Sequence, residues 1–444
     1  MTMKKIILSV AALAVVAGAA AVTYAYLPTT TRAITLAPAL DDAQAVERGR
    51  YIATASDCAA CHTAPGGKPF AGGLPFATPI GTIRSTNITP DADTGLGHYT
   101  LADFDRALRH GIAKNGDTLY PAMPYPSYAH LTDQDVTDLY AYMMKGVEPV
   151  KQANQAGDIP FPLSMRWPLA IWRKTFAPNA DQPLFDAARY TDPEVARGAY
   201  LVQGPGHCGA CHTPRSPTLN EKGLDDRSPD YLAGGQVIDG WYAVNLRSNK
   251  AEGLGNWSRD DIVATLTTGR NPHHAVTGAP MADVVRLSMQ KLNDADVQAI
   301  AAYLKTLAPA AHEDARFTGN DATTPALLAG QDLGRGEEIY VDSCSACHKS
   351  NGQGNPNAFP ALANNPSVLS PEPVTVIRAV LFGTAMPATE KRPSNLGMPG
   401  FALRYSDDEV AALVTFLRKS WGNEAAPVTA AQVRDVRAHP PEAH

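Results

Sequence analysis

The chain is short of cysteine, with six in 444 residues. They fall as three C-x-x-C pairs, so none is left over for a disulfide framework. An excess of positive charge is also missing. The formal net charge is −6, which removes the electrostatic reason to expect a nucleic-acid partner. No train of Val/Ile-rich strands alternates with helices, so a parallel sheet is not expected. No glycine-rich dinucleotide fingerprint occurs and no nucleophile–base pair stands out, so nothing here suggests oxidation of a substrate by this chain itself. Long apolar runs are absent except at the N-terminus. The tail is rich in Ala, Pro, Val and Arg, and no C-terminal anchor is expected from it.

What is present is one pattern in three copies. Cys58-Ala59-Ala60-Cys61-His62, Cys208-Gly209-Ala210-Cys211-His212 and Cys344-Ser345-Ala346-Cys347-His348 each read C-x-x-C-H, the pattern of covalent c-type haem attachment. Cysteines at i and i+3 share a helical face, so both sulfurs reach the two vinyl groups of one porphyrin. The next residue, histidine, is then close enough to bring its imidazole to the iron. A zinc site built from paired C-x-x-C halves wants them about 15–20 residues apart, and here well over a hundred residues separate the copies. Three motifs agree with the roughly three domains that the length suggests. The 35 glycines and 36 prolines suggest many loops, as expected when a haem rather than a deep apolar core fills each domain.

The N-terminus carries Lys4 and Lys5, then an uncharged run from Ile6 to Leu27. A basic start and an apolar stretch make a secretory signal, and the run is also long enough to cross a bilayer. Small residues crowd its end, with candidate cleavage sites after Ala19, Ala21 and Ala25, which favours cleavage. Residues 1–27 are therefore read as a signal peptide or an N-terminal membrane anchor, and in both cases the body is exported.

The three units share more than the cysteines. Each opens with Arg-Gly and an aromatic: Arg48-Gly49 with Tyr51, Arg197-Gly198 with Tyr200, Arg335-Gly336 with Tyr340. Each closes with a helix that starts on a polar cap and acidic turn: Thr132 to Lys145, Asn293 to Leu307, Ser406 to Trp421. A glycine inside the opening helix costs up to about 1 kcal/mol relative to alanine. Close crossing of the closing helix, with glycine against Tyr140 or Tyr142, Tyr303 and Phe416, explains it. Middle helices are expected over Leu101 to His110, Ser258 to Thr268 and Glu372 to Phe382, each followed by glycine.

The loop after each middle helix is where a second iron ligand belongs, and methionine sulfur is the expected partner of histidine in a redox haem. Met123 and Met281 each lie 12 residues after that glycine. The third unit offers Met386 and Met398, and the repeat register favours Met398. His273 and His274 leave a bis-histidine second haem open. His98, His110, His130 and His207 are read as structural. Arg84 and Arg247 are open to pairing with haem propionates or to simple solvation. Asn87-Ile88-Thr89 matches a glycosylation sequon, to which little weight attaches. The linker stretch Met165 to Lys174 is amphipathic and carries two tryptophans. It suits a membrane surface, a partner subunit, or packing between the first two haem domains.

With these residues in place the chain resembles the triple-haem cytochrome c subunit of membrane-bound alcohol, gluconate, sorbitol and fructose dehydrogenases. The resemblance rests on the ordered motifs together with Ser85-Thr86-Asn87-Ile88-Thr89-Pro90-Asp91, Tyr120-Pro121-Ala122-Met123-Pro124-Tyr125-Pro126, Gly204-Pro205-Gly206-His207 leading into the second motif, Val237-Ile238-Asp239-Gly240-Trp241 and Trp421-Gly422-Asn423. It implies an all-α chain of three tandem class I cytochrome c domains, each a small helical fold around one covalent haem. The expected boundaries are 40–150, 191–310 and 331–422, with linkers at 151–190 and 311–330 and a mobile tail at 423–444. Six thioether cysteines (Cys58, Cys61, Cys208, Cys211, Cys344, Cys347), proximal His62, His212 and His348, and distal Met123, Met281 and Met398 complete the site expectation. The resemblance also implies electron transfer from a large quinoprotein or flavoprotein catalytic subunit to ubiquinone, on the periplasmic face of the cytoplasmic membrane, with room for a small third subunit. A freestanding periplasmic multihaem carrier is the alternative, and a haem peroxidase a more distant one.

Overall fold

The computed structural model describes residues 3–441 apart from Pro79, His274, Ala275, Gln331, Asp332 and Asn357. The chain is helical, with short two-stranded antiparallel ribbons such as Pro75–Thr78 with Gly81–Arg84 and Gln236–Ile238 with Trp241–Ala243. It divides into two units: Met1–Ala53 with Cys61–Asp186, and Thr54–Ala60 with Ala187–His444.

The repeat is built as a crossed pair of helices. Opening helices run over Ala43–Ala55, Pro193–Gln203 and Arg335–Ser343; closing helices run over Asp133–Lys145, Asp294–Thr306 and Asp407–Lys419. Thr132, Asn293 and Ser406 cap the closing helices by accepting from the third helical N–H, which satisfies a donor that the helix itself cannot. At the crossing there is no space for a Cβ. One added at Gly49 would stand 2.7 Å from Tyr142 Cβ, at Gly198 2.9 Å from Tyr303 Cβ, and at Gly336 3.0 Å from Phe416 Cβ. In the first repeat Tyr142 is thus the contact, while Tyr140 Oη donates to the Tyr99 carbonyl. Beside each glycine, an arginine bridges to a carboxylate of the closing helix: Arg48 to Asp138 at 2.7 Å, Arg197 to Asp296 at 2.7 Å, and Arg335 to Glu409 at 2.6 Å. The crossing is therefore fixed twice, by shape and by a directional ion pair.

Middle helices Leu101–His110, Arg259–Thr268 and Val374–Phe382 complete the scaffold. Thr100 and Ser258 form capping boxes with Asp103 and Asp261. The third repeat buries Ile339, Tyr340, Ile377, Val410, Leu413, Val414 and Trp421 in one cluster, and Tyr340, Phe416 and Trp421 stack mutually with centroids 5.1–5.4 Å apart.

Two segments are more ordered than their composition suggests. The tail read as mobile instead pairs Asn423–Glu424 with Arg316–Phe317 and ends in the helix Ala430–Ala438. That helix has its own capping box, Thr429 with Gln432, and buries Val433 and Val436 in the third-repeat core. Two valines three residues apart make an apolar face, hidden in the sequence among Ala and Pro. The segment 311–330, read as a linker, contributes that partner strand and the helix Thr323–Ala329.

The linker stretch around Met165 forms the helix Trp167–Phe176 inside the first unit. Trp172 meets Tyr125 edge-on. Lys174 Nζ donates to the carbonyls of Tyr24 (2.7 Å) and Leu27 (2.8 Å), at the C-terminal, negative end of the dipole of the N-terminal helix Met3–Tyr26. That helix is apolar and long enough to cross a membrane, with mean hydropathy 2.5 over Lys5–Tyr26.

Within the second unit, the second and third repeats interlock. Tyr242 N–H donates to Thr375 Oγ1 at 2.8 Å. Trp241 lies on Gly278, where a Cβ would be 2.9 Å from the indole and 3.3 Å from Thr384 Oγ1. Pro387 covers Gly269, and Arg270 donates to the Ser394 carbonyl at 2.7 Å. The loops that carry Met281 and Met398 therefore pack on one another.

Candidate functional site

Each C-x-x-C-H segment is a single helical turn: Cys58–His62, Gly209–His212 with Cys208 at its N-cap, and Ser345–His348 with Cys344 at its N-cap. The three imidazoles are held alike. His62 Nδ1–H donates to the Thr86 carbonyl at 2.7 Å, His212 Nδ1–H to the Val244 carbonyl at 2.7 Å, and His348 Nδ1–H to the Pro360 carbonyl at 3.0 Å. A carbonyl only accepts, so Nδ1 carries the proton and Nε2 keeps its lone pair for a metal. Burial lowers the pKa of all three rings, which favours the neutral imidazole.

A second backbone bond closes this clamp. The carbonyl of each histidine accepts from a glycine N–H: Gly72 at 2.7 Å, Gly234 at 2.7 Å and Gly354 at 3.0 Å. All three glycines have positive φ (73°, 79° and 61°). Each presses on the residue that supplies the imidazole's carbonyl. A Cβ would come within 2.5 Å of Thr86 O, 3.1 Å of Val244 C and 2.5 Å of Pro360 O. Asparagine locks the same loops in the first two repeats. Asn87, directly after Thr86, is buried, and its Nδ2 donates to the carbonyls of Val150 (2.8 Å) and Gln152 (3.1 Å). Asn245, directly after Val244, donates to Asn249. The sequon asparagine thus has a structural task and no exposure for a glycan.

The sulfurs of Cys208, Cys211 and Cys344 fit thioethers better than thiolates. Burial pushes the Cys208 thiol up to about 12 and those of Cys211 and Cys344 up to about 11. Zinc binding and dithiol redox chemistry need the thiolate, whereas a thioether is neutral. Neutral sulfurs, an adjacent imidazole with Nε2 available and a carbonyl-fixed tautomer are what a covalent haem requires.

The methionines are placed differently from one another. Met123 lies in the turn before Tyr125–Tyr128, and Met281 starts the helix Met281–Leu287. Met398 pairs with Thr384 in a short ribbon and packs against the core cluster that Cys344 also touches. Met386 is buried and bonded through its N–H to the Leu396 carbonyl at 3.0 Å. His273 Nδ1 is 2.6 Å from Asp261 Oδ1 and its side chain is 64% exposed; His274 lies outside the described residues. His98 is exposed. His110 and His130 are buried in the first repeat, and His207 Nε2 faces the Ser56 carbonyl at 3.3 Å. Arg84 is exposed, whereas Arg247 is buried and donates to the carbonyls of Ala308 (2.7 Å) and Tyr231 (2.9 Å).

The clamp occurs three times, and the cytochrome c signature matches the same three stretches, residues 46–146, 195–308 and 333–421. The chain belongs to the cytochrome c family. It carries three covalently attached c-type haems and is an electron-transfer protein. Among its relatives, the cytochrome c subunit of gluconate 2-dehydrogenase from Pantoea cypripedii is 54% identical over 407 residues, covering 90% of this chain and 92% of the relative. The cytochrome c subunit of the quinone alcohol dehydrogenase from Gluconobacter oxydans is 50% identical, covering 89% and 83%. The fructose dehydrogenase cytochrome subunit from Gluconobacter japonicus is 37% identical, covering 90% and 84%. The carbonyls that orient the rings carry no mark of their own in the sequence. Glycines 72, 234 and 354 were the available signal.

Proposed function

We propose that this cytochrome is the electron-transfer subunit of a membrane-bound dehydrogenase complex. A large quinoprotein or flavoprotein subunit oxidises an alcohol, sugar or sugar acid. The cytochrome takes the electrons and passes them through its haems to ubiquinone. Cys58 and Cys61, Cys208 and Cys211, and Cys344 and Cys347 form the thioethers, and His62, His212 and His348 are the proximal ligands. Met123, Met281 and Met398 are the distal ligands. Packing of Met398 on the cluster that Cys344 touches supports it over Met386, and the Asp261 contact of His273 supports Met281 over a bis-histidine haem. The haem supplies one-electron chemistry, and the protein supplies position and potential.

The observation that carries this reading is the threefold imidazole clamp in a chain that relatives named as dehydrogenase cytochrome subunits match over about nine-tenths of its length. Lys4 and Lys5 before the apolar helix support a body on the periplasmic face. A small third subunit and contact with the membrane surface belong to the same proposal. The test is purification from its host by a tag on this chain. A large dehydrogenase should co-purify in equal amount, and its substrate should reduce all three haems. A chain isolated without that partner, with a high-spin haem and peroxide turnover of its own, would refute the proposal.

A further inference from the structure

In the first unit, where the linker helix Trp167–Phe176 meets the first repeat, three buried polar atoms have no hydrogen-bond partner among the described residues. Tyr125 is 0% exposed and its Oη makes no bond; His110 Nε2 and Arg173 Nε, on side chains that are also buried, make none either. The three share one neighbourhood. The Tyr125 ring lies on Gly111, the residue after His110, with a Cβ there only 2.7 Å from the ring. The same ring meets Trp172, the residue before Arg173, edge-on at 6.4 Å between centroids.

Nearby carboxylates are engaged elsewhere. Arg109 pairs with Asp105 and Asp133, and Arg32 holds Asp133 and Asp181. Asp181 Oδ1 is 3.9 Å from His110 Nε2, beyond hydrogen-bond reach. Leaving such atoms buried and unbonded costs about 1–3 kcal/mol each, so their retention together calls for a ligand. The place is next to the apolar helix: Arg173 Nη2 donates to Thr29 Oγ1 at 2.9 Å, and Lys174 to the Leu27 carbonyl at 2.8 Å.

We propose that Tyr125 Oη, His110 Nε2 and Arg173 Nε form the seat of a quinone headgroup, with Trp172 beside its ring. This rests on the reading of a quinone as electron acceptor. A quinone brings two carbonyl acceptors and no donor, which complements three atoms that can all donate. Met123 lies two residues from Tyr125 in sequence. Two electrons from the subunit and two protons from solvent convert the two carbonyls to the two hydroxyls of the quinol, with no bond to the protein. Tyr125 and His110 can turn to accept from those hydroxyls but Arg173 cannot, so the product is held more weakly than the substrate.

The test uses the intact complex in detergent and a ubiquinone with two isoprene units. Tyr125→Phe keeps the ring packing and removes only the hydroxyl; the KM for this quinone should rise about 2- to 10-fold. Arg173→Gln should raise it about tenfold or more. A photoreactive azido-ubiquinone should label the peptide 167–176, and the short-chain quinone should compete. Haem content and the reduced spectrum report whether each variant is folded, and Tyr125→Phe decides the matter if Arg173→Gln is not. Unchanged KM values with normal wild-type turnover overturn the seat alone, as does labelling elsewhere or competition only by phosphatidylglycerol. A wild-type complex that cannot reduce the quinone at all overturns the acceptor reading.

Discussion

Gly198→Ala puts the helix crossing of the second repeat to a direct test. Alanine is the better helix former, by about 1 kcal/mol, so an isolated helix would gain from the change. In the folded chain the new methyl overlaps the Ala299 carbonyl and stands 2.9 Å from Tyr303 Cβ. Ordinary contact between carbons is about 3.5–4.0 Å, so the closing helix must retreat by roughly 1 Å or more. Overpacking of this kind costs about 1–3 kcal/mol, occasionally more. The same retreat stretches the Arg197–Asp296 pair, held at 2.7 and 2.8 Å one residue away. Set against the helix gain, a net loss of about 2 kcal/mol is expected, which is about 4–8 °C in Tm for a unit of this size. Calorimetry of the haem-loaded chain is the assay. Gly49→Ala should behave similarly, whereas Gly336→Ala should be milder, because its Cβ would stand 2.5 Å from the Ala412 carbonyl oxygen, farther than at the other two crossings, and 3.0 Å from Phe416 Cβ. An unchanged or raised Tm for Gly198→Ala would show that helix propensity wins, and would refute the close crossing.

Met398→Ala should lower one of the three haem potentials and remove one methionine–iron charge-transfer contribution while leaving all three haems attached; the same outcome for Met386→Ala instead would reverse the ligand assignment. Gly234→Ala forces a side chain onto φ 79° and to within 2.8 Å of Asn245 N. The loop that fixes His212 should shift, moving one potential in a redox titration; three unchanged potentials would break the link between glycine and imidazole. Glu221 is half-buried, its enclosed Oε2 has no hydrogen-bond partner among the described residues, and desolvation raises its pKa to about 7. Its folded-state pKa lies above the unfolded value of about 4.3, so its contribution to stability is complete below about pH 4 and is lost as the pH rises from there through about 7, by at most about 4 kcal/mol. Denaturant melts at pH 5 and pH 8 should show this slope, and Glu221→Gln should flatten it; identical profiles would exclude Glu221 as its source.

Much of the scaffold was legible because its causes are local. The C-x-x-C-H turn needs only five consecutive residues. The caps Thr132, Asn293 and Ser406 act on N–H groups three residues away. Gly49, Gly198 and Gly336 stood out because a helix gives no local reason for glycine, which points to another helix close by. The linker helix was read as amphipathic, but its neighbours were not, since the same pattern suits a bilayer, a partner or the body of its own chain.

By itself, then, the sequence determined the number of haems and the order of the helices, and offered the residues proposed to hold them, because those depend on spacing along the chain. Only the tertiary structure decided how each imidazole is aimed. Thr86, Val244 and Pro360 act through backbone carbonyls, which every residue type possesses, so their identities carried no signal. It likewise decided the docking of the tail helix through Val433 and Val436 and the interlock of Gly269 with Pro387. The gathering of His110, Tyr125 and Arg173 was decided there too. Each of these joins residues far apart in sequence through shape or burial, and neither shape nor burial is visible until the chain is closed.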